Sequence, residues 1–216
     1  MPRRLPPPRD PRRSRRAFGI ALARVLLVSV GLAIAAATYS ATAAFDIGAL
    51  TNLLGRVRSG EATFVEQRRV EMLDRTLVSS GRLSFRAPDS FVRETLKPRR
   101  EKLAVDGNSV TMSIGDRSRT MALDASPEAS VIVEALRGTL TGNRETLERL
   151  FEARVSGNAD QWSLELVPRD LRLRGQVASV RVSGRESVAR EVLVLLADGD
   201  RSTMTIEPIA GTRAAP

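Results

Sequence analysis

The sequence has no cysteine and no histidine among its 216 residues. Without cysteine it has no disulfide framework, no thiolate metal site and no lipid-modified N-terminal Cys. Without histidine it lacks the usual general base and the commonest metal ligand, leaving carboxylates, Lys, Ser/Thr and Tyr as the available chemistry. Neither a Gly-rich phosphate loop nor a Ser-centred nucleophile elbow occurs, and no repeat of solenoid period is visible. These absences argue against an enzyme and predict no bound metal and no cofactor. Aromatic residues are also scarce, at 4% of the chain.

Charge is present but unevenly placed. Residues 1–43 hold eight Arg against one Asp, a net of +7 out of the total +9, which leaves +2 for the remainder. A body of mixed sign and small net charge is a solvated surface, not the concentrated basic face that phosphate binding needs. Nucleic acid is therefore excluded as a partner.

The first 43 residues have the order of an export signal. An Arg- and Pro-rich start is followed by an uncharged run from Val25 to Phe45, apolar at its centre and small at its end. Ala41-Thr42-Ala43 satisfies the small-x-small rule for signal peptidase, which predicts cleavage after Ala43 and a periplasmic mature chain. The run is also long enough to span a bilayer, so an uncleaved anchor in the inner membrane, facing the periplasm, is the competing reading. Ser14-Arg15-Arg16-Ala17-Phe18 resembles a twin-arginine signal, but a chain without a cofactor has no need to fold before export, so the general secretory route is expected. The predicted organisation is a signal peptide over 1–43, one domain over 44–208 and a disordered tail over 209–216.

Within the domain, Ile47, Leu50, Leu53, Leu54 and Val57 recur at helical spacing over Asp46–Arg58, with Asp46 as cap and Gly60 as stop. Beyond Gly60 the period falls to two: Leu83 and Phe85, Leu103 and Val105, then Val110, Met112 and Ile114 alternate with polar residues. Ala87-Pro88-Asp89, Lys97-Pro98, Asp106-Gly107-Asn108 and Gly115-Asp116 supply the reversals. Ser126-Pro127-Glu128 opens a helix with Val131, Ile132, Ala135, Leu136 and Leu140 on one face, and Asn143 opens a second, short one. Alternation then returns through Trp162, Leu164 and Leu166; Leu171 and Leu173; Val180 and Val182; Val192, Val194 and Leu196; and Met204 and Ile206. The pattern predicts a helix, about five strands, a helical pair and about five more strands. That order belongs to a mainly β fold with some α: an open, strongly curved antiparallel β-barrel or half-barrel covered by a helical lid. Its apolar face either fills a core or lines a cavity for an apolar ligand.

The run Gly81-Arg82-Leu83-Ser84-Phe85-Arg86-Ala87-Pro88-Asp89-Ser90-Phe91, followed by Lys97-Pro98, Val105-Asp106-Gly107, Trp162 to Pro168 and Asp198-Gly199-Asp200-Arg201-Ser202, resembles the periplasmic lipoprotein-carrier family known as LolA. The likeness extends over most of residues 45–208. It implies an open antiparallel barrel with a helical lid, carrying the acyl part of a lipoprotein or lipid from an inner-membrane exporter to an outer-membrane acceptor, and a monomer. Two departures mark a divergent branch. The family has an Arg immediately before the Pro of the strand-turn, where it reaches the lid; here that position is Ala87, and Arg86 lies one residue earlier, on the opposite face of a regular strand. The body is also poor in rings, with only Phe45, Phe64, Phe85, Phe91, Phe151 and Trp162. The departures leave the cargo open between a lipoprotein and another lipid, such as a glycolipid or a polyene ester.

The resemblance makes Phe85, Phe91, Ile132, Val133 and Leu136 the candidate cargo-binding residues, with an ordinary packed core as the alternative for each. Arg86 and Arg93 are candidates for a head-group or lid contact, against the usual role of strand charges as a solvated face. Trp162 reads as core. Asp198 and Asp200 flank Gly199 as a hairpin turn does, though two acids so close also invite a cation reading. The competing function is a non-catalytic envelope binding or scaffold module whose barrel core is filled.

Overall fold

The computed structural model describes residues 45–73 and 75–209. The predicted signal peptide over 1–43 and residues 210–216 of the predicted tail lie outside the described residues. Helix α1 (Ile47–Leu54) is capped by Asp46, whose Oδ1 accepts the Ala49 N–H at 2.8 Å. It stops at Gly55, short of Gly60, because the chain is taken up from Ser59 by pairing with Arg86. Six strands follow: β1 (Ser59–Val70), β2 (Arg75–Arg86), β3 (Ser90–Lys97), β4 (Glu101–Asp106), β5 (Ser109–Ile114) and β6 (Arg117–Ala122). Then come helix α2 (Pro127–Leu140), helix α3 (Arg144–Leu150), strands β7 (Phe151–Gly157) and β8 (Trp162–Pro168), the single turn α4 (Leu171–Arg174), and strands β9 (Val177–Arg185), β10 (Val188–Leu196) and β11 (Arg201–Pro208).

Leu171 and Leu173, expected in a strand, lie in α4. Apolar residues two apart are compatible with one helical turn, and local capping decides: Asp170 accepts the Arg172 N–H at 2.7 Å and Gly175 closes the turn onto Leu171. The caps at the helical pair are as expected, with Ser126 accepting from Ala129 before Pro127, and Asn143 accepting from Thr146.

All eleven strands form one antiparallel sheet in the order β6-β5-β4-β3-β2-β1-β11-β10-β9-β8-β7. The two halves of the chain join where β1 pairs with β11, Phe64 opposite Ile206. The terminal strands β6 and β7 remain unpaired with each other, so the sheet is open. Gly81 explains how β2 and β3 are fitted together: a Cβ there would lie 1.9 Å from the Glu94 carbonyl oxygen, beside a register shift between Ser80 and Gly81.

The helices cover one face, and the core on that face is divided. A large cluster joins α1, α2, α3 and the inner residues of β7–β10, among them Leu50, Val131, Ala135, Leu147, Trp162, Leu164, Val180 and Val194. Strand β8 shows why: Trp162, Leu164 and Leu166 point in at every second position. Trp162 also donates its Nε1–H to the Glu186 carbonyl at 2.8 Å, which removes the cost of burying it. A smaller cluster, Val105, Val110 and Leu123, collects Phe91, Leu103, Ala129 and Val133, the last two from another side of α2. Gly142, at φ +63°, ends α2 in a left-handed turn and lets the chain pass 2.1 Å, from its would-be Cβ, to the Thr51 carbonyl of α1.

Candidate functional site

Helix α2 belongs to both clusters. Val131 and Ala135 are buried in the larger one, while Ala129 and Val133 pack on the smaller. Between the two clusters the helix and the sheet do not close up. The space left is a cavity of about 400 Å³, with a wall that is mostly apolar. Such a volume lies within the range of small-molecule sites, roughly 300–1,000 Å³, and well above the voids of a packed core.

The register of the central strands builds the floor. Phe85 stands opposite Phe91 and Leu83 opposite Arg93 across β2 and β3, and Ala62 faces Leu83 across β1 and β2. All five of these residues line the cavity, with Val192, Met204 and Ile206 from β10 and β11. The roof comes from α2 through Ala129, Ile132, Val133, Leu136 and Leu140. Six of the seven sequence-predicted site residues thus meet in one place: Phe85, Phe91, Ile132, Val133, Leu136 and Arg93.

Arg86 is not brought there. It is exposed and borders a separate, more polar depression of about 500 Å³ with Glu61, Ser84 and Val92 on the other face of β1–β3. The strand alternation anticipates this, since Phe85 points in and its neighbour must point out. Ala87 uses its N–H to pair with the Arg58 carbonyl at 2.8 Å. The tie between cover and sheet comes from the helix instead: Arg137 of α2 donates from Nη2 to the Gly107 carbonyl in the β4–β5 turn at 2.6 Å, and from Nη1 to Glu134 at 2.5 Å.

Arg93 is not a lone cation. Its Nη2 donates to Glu66 and, at 3.2 Å, to Ser79, and its guanidinium lies over the Phe64 ring at 4.9 Å. Glu66 also accepts from Ser79 and from Ser202. Residue-by-residue reading of the sequence missed this group, because its members sit on β1, β2, β3 and β11. The available signal was local: once Phe64 is assigned to the inner face, Glu66 and Arg68 follow on that face at period two. Asp200 is committed within its turn. It accepts from the Glu71 N–H at 3.0 Å and from Arg68 at 3.2 Å, and its own N–H donates to Asp198, so the pair acts as a hairpin device.

A search of curated proteins finds no match to this sequence. Among solved structures, a LolA superfamily protein from Nitrosomonas europaea is similar at 11% identity and a TM-score of 0.44, over 79% of this chain and 95% of that one. A chain in the complex of MucA and MucB from Pseudomonas aeruginosa is similar at 16% identity and a TM-score of 0.43, over 74% of this chain and 55% of that one. LprF from Mycobacterium bovis is similar at 7% identity and a TM-score of 0.36, over 79% and 94% of the two chains. The profile of the family described as outer membrane lipoprotein carrier protein LolA-like matches residues 38–215. With most of its length matched, an open antiparallel sheet and a helix-roofed apolar cavity, the chain belongs to the LolA-like family of outer membrane lipoprotein carrier proteins.

Proposed function

We propose that this protein is a periplasmic carrier that takes the acyl or other apolar part of a lipoprotein or lipid into the cavity between α2 and the sheet and moves it between the inner and outer membranes. In this reading the chain is exported on a signal peptide cleaved after Ala43, works as a monomer and performs no catalysis. It receives cargo from an inner-membrane exporter and delivers it to an outer-membrane acceptor. The observation that carries the reading is the open volume of about 400 Å³ with its mostly apolar wall. A scaffold module would close the same space with side chains, so the cavity weighs against that alternative.

The energetics suit transfer. Burying a dodecyl chain contributes about 9 kcal/mol at about 0.8 kcal/mol per methylene, enough to draw it from a membrane partner. A carrier must also release its load, so part of that energy has to be spent on displacing the cover. Helix α2 fits this need because Val131 and Ala135 anchor it in the larger cluster while Ile132, Val133 and Leu136 also line the open volume.

The test is a charge placed on each wall. Phe91→Glu and Leu136→Glu should each abolish binding of a fluorophore-labelled dodecyl amide while keeping a strand-type circular dichroism spectrum, since the open cavity lets water reach the new carboxylate. Leu164→Glu, in the packed core, should unfold the domain. If the first two variants bind the probe like wild type, these residues are not cargo walls and the carrier reading fails.

A further inference from the structure

Along the inner face of the sheet the chemistry changes partway up four neighbouring strands. On β1 the residues Ala62 and Phe64 are followed by Glu66 and Arg68; on β11, Ile206 and Met204 give way to Ser202. On β2, Leu83 is succeeded past Gly81 by Ser79, and on β3, Phe91 is succeeded by Arg93. Along these four strands the cavity wall therefore passes from an apolar stretch to a polar end that includes Glu66, Arg93 and Ser202.

Glu66 is the hub of the polar end. Its Oε2 accepts from Arg93 Nη2 and, at 3.1 Å, from Ser79 Oγ, and its Oε1 accepts from Ser202 Oγ at 2.5 Å. Beside it Arg68 pairs with Asp200 at 3.2 Å. Each pair is neutral as a unit. In each, the acid is the more enclosed partner: the side chains of Glu66 and Asp200 are 15% and 11% exposed, against 27% and 48% for Arg93 and Arg68. The Nε–H of Arg93 is buried without a hydrogen-bond partner, and its hydrogen bonds to Glu66 and Ser79 come from Nη2 alone, which leaves Nη1, outside the buried atoms, as a donor the protein does not use.

Building on the carrier reading, we propose that this row receives the polar group of the cargo and selects an uncharged, oxygen-bearing group, such as an ester or glyceryl group, over an anionic one. An anionic head group seeking Arg93 has to compete with a carboxylate already bound there. Success would leave Glu66 enclosed and uncompensated, which burial strongly disfavours. An ester carbonyl or a hydroxyl needs only a donor. Arg93 has one to spare, and a hydroxyl can in turn donate to Glu66, with no change in net charge.

The experiment compares two ligands with the same tail, dodecanoyl glycerol and dodecyl phosphate. Each is titrated into the exported protein preloaded with N-phenyl-1-naphthylamine, an uncharged probe that reports the apolar length alone. In wild type the glyceryl ester should displace the probe at a concentration at least about tenfold lower than the phosphate. Glu66→Gln keeps the size and one acceptor oxygen but frees the Arg93 charge, so it should shift the ratio toward the phosphate by at least about tenfold. A Glu66→Gln/Arg93→Met double variant removes the freed cation as well and should lose the shift toward the phosphate, returning the preference to the glyceryl ester. Equal displacement by both ligands in wild type, or a ratio unchanged in Glu66→Gln, overturns the proposal and leaves the pair as a structural brace. Failure of the probe to bind wild type is a different result: it sinks the carrier reading and this selectivity with it.

Discussion

Replacing Arg137 with Met tests whether α2 opens as a unit of its own. The substitution keeps an apolar stem of similar length and removes the donations to the Gly107 carbonyl at 2.6 Å and to Glu134 at 2.5 Å. A hydrogen bond from a charged donor contributes about 1.5–3 kcal/mol. The side chain of Arg137 is 22% exposed and Gly107 sits in a half-buried turn that water can reach, so the lower half of that range applies. The Glu134 contact, one helical turn away on the same helix, adds about 0.2–0.5 kcal/mol. A loss of about 1.7–2.8 kcal/mol corresponds to a rise of roughly 20- to 100-fold in the opening equilibrium of whatever unit the bond holds shut. Native-state hydrogen exchange reads this directly. Amides of α2 from Val131 onward should exchange faster by that factor, while those of β8 and β9 keep their wild-type rates. Equal acceleration of α2 and β8 would mean that the bond stabilises only the whole domain. No acceleration in α2 would mean that it holds nothing shut. Either result refutes a separately opening cover.

Three further outcomes are expected. Gly81→Ala should destabilise the domain by about 1–3 kcal/mol or prevent folding, because the new methyl carbon meets the Glu94 carbonyl oxygen at 1.9 Å; urea unfolding measures it. Asn143→Ala should cost about 1 kcal/mol in the same assay, through loss of the 3.0 Å bond from the Thr146 N–H that caps α3. N-terminal sequencing of the protein from the cell envelope should begin at Ala44, and recovery of the intact leader from the membrane fraction would establish the anchored form.

The elements that could be read from sequence are those whose signal is local. Asp46, Ser126 and Asn143 each cap a helix through a side chain that accepts from the backbone N–H three residues on, and all three caps are found where the residue type and spacing place them. Strand β8 announces itself because Trp162, Leu164 and Leu166 share one face over a single short run. The limits of α1 and the nature of α4 were not legible for the opposite reason. Whether Val57 continues a helix depends on the pull of the β1–β2 pairing, and Leu-Arg-Leu-Arg fits one helical turn as well as a strand until Asp170 is seen capping it. The candidate site divides in the same way. Phe91 and Leu136 were reachable through the family resemblance and their own apolar patterns. The Glu66 group was not, since Glu66 and Ser202 are 136 residues apart and only the β1–β11 pairing brings them together.

The position of Ala87 shows how an expected function can move to another part of a fold. In the family resemblance an Arg before the strand-turn Pro reaches up from the sheet to the cover. Here Arg86 points away, and Ala87 lacks the side chain to reach. Arg137 makes the connection in the reverse direction, from the cover down to a backbone carbonyl at Gly107. A backbone acceptor makes the reversed tie depend on one side chain only, because any residue that keeps the turn also keeps the carbonyl. The reversal also changes what happens on opening. If α2 lifts, as the carrier reading requires, the Arg137 charge leaves with the helix and returns to water, and the polar end keeps its two ion pairs, Glu66–Arg93 and Asp200–Arg68. A cargo with an uncharged polar group then meets the same electrostatic environment in the open and closed forms, so closing costs it little beyond the apolar contact it gains. An anionic cargo would be drawn toward the lifted Arg137 at the cover and less toward Arg93, whose charge Glu66 already holds. On these grounds the reversed tie and the neutral row favour the same class of cargo, although they lie on different elements and share no bond.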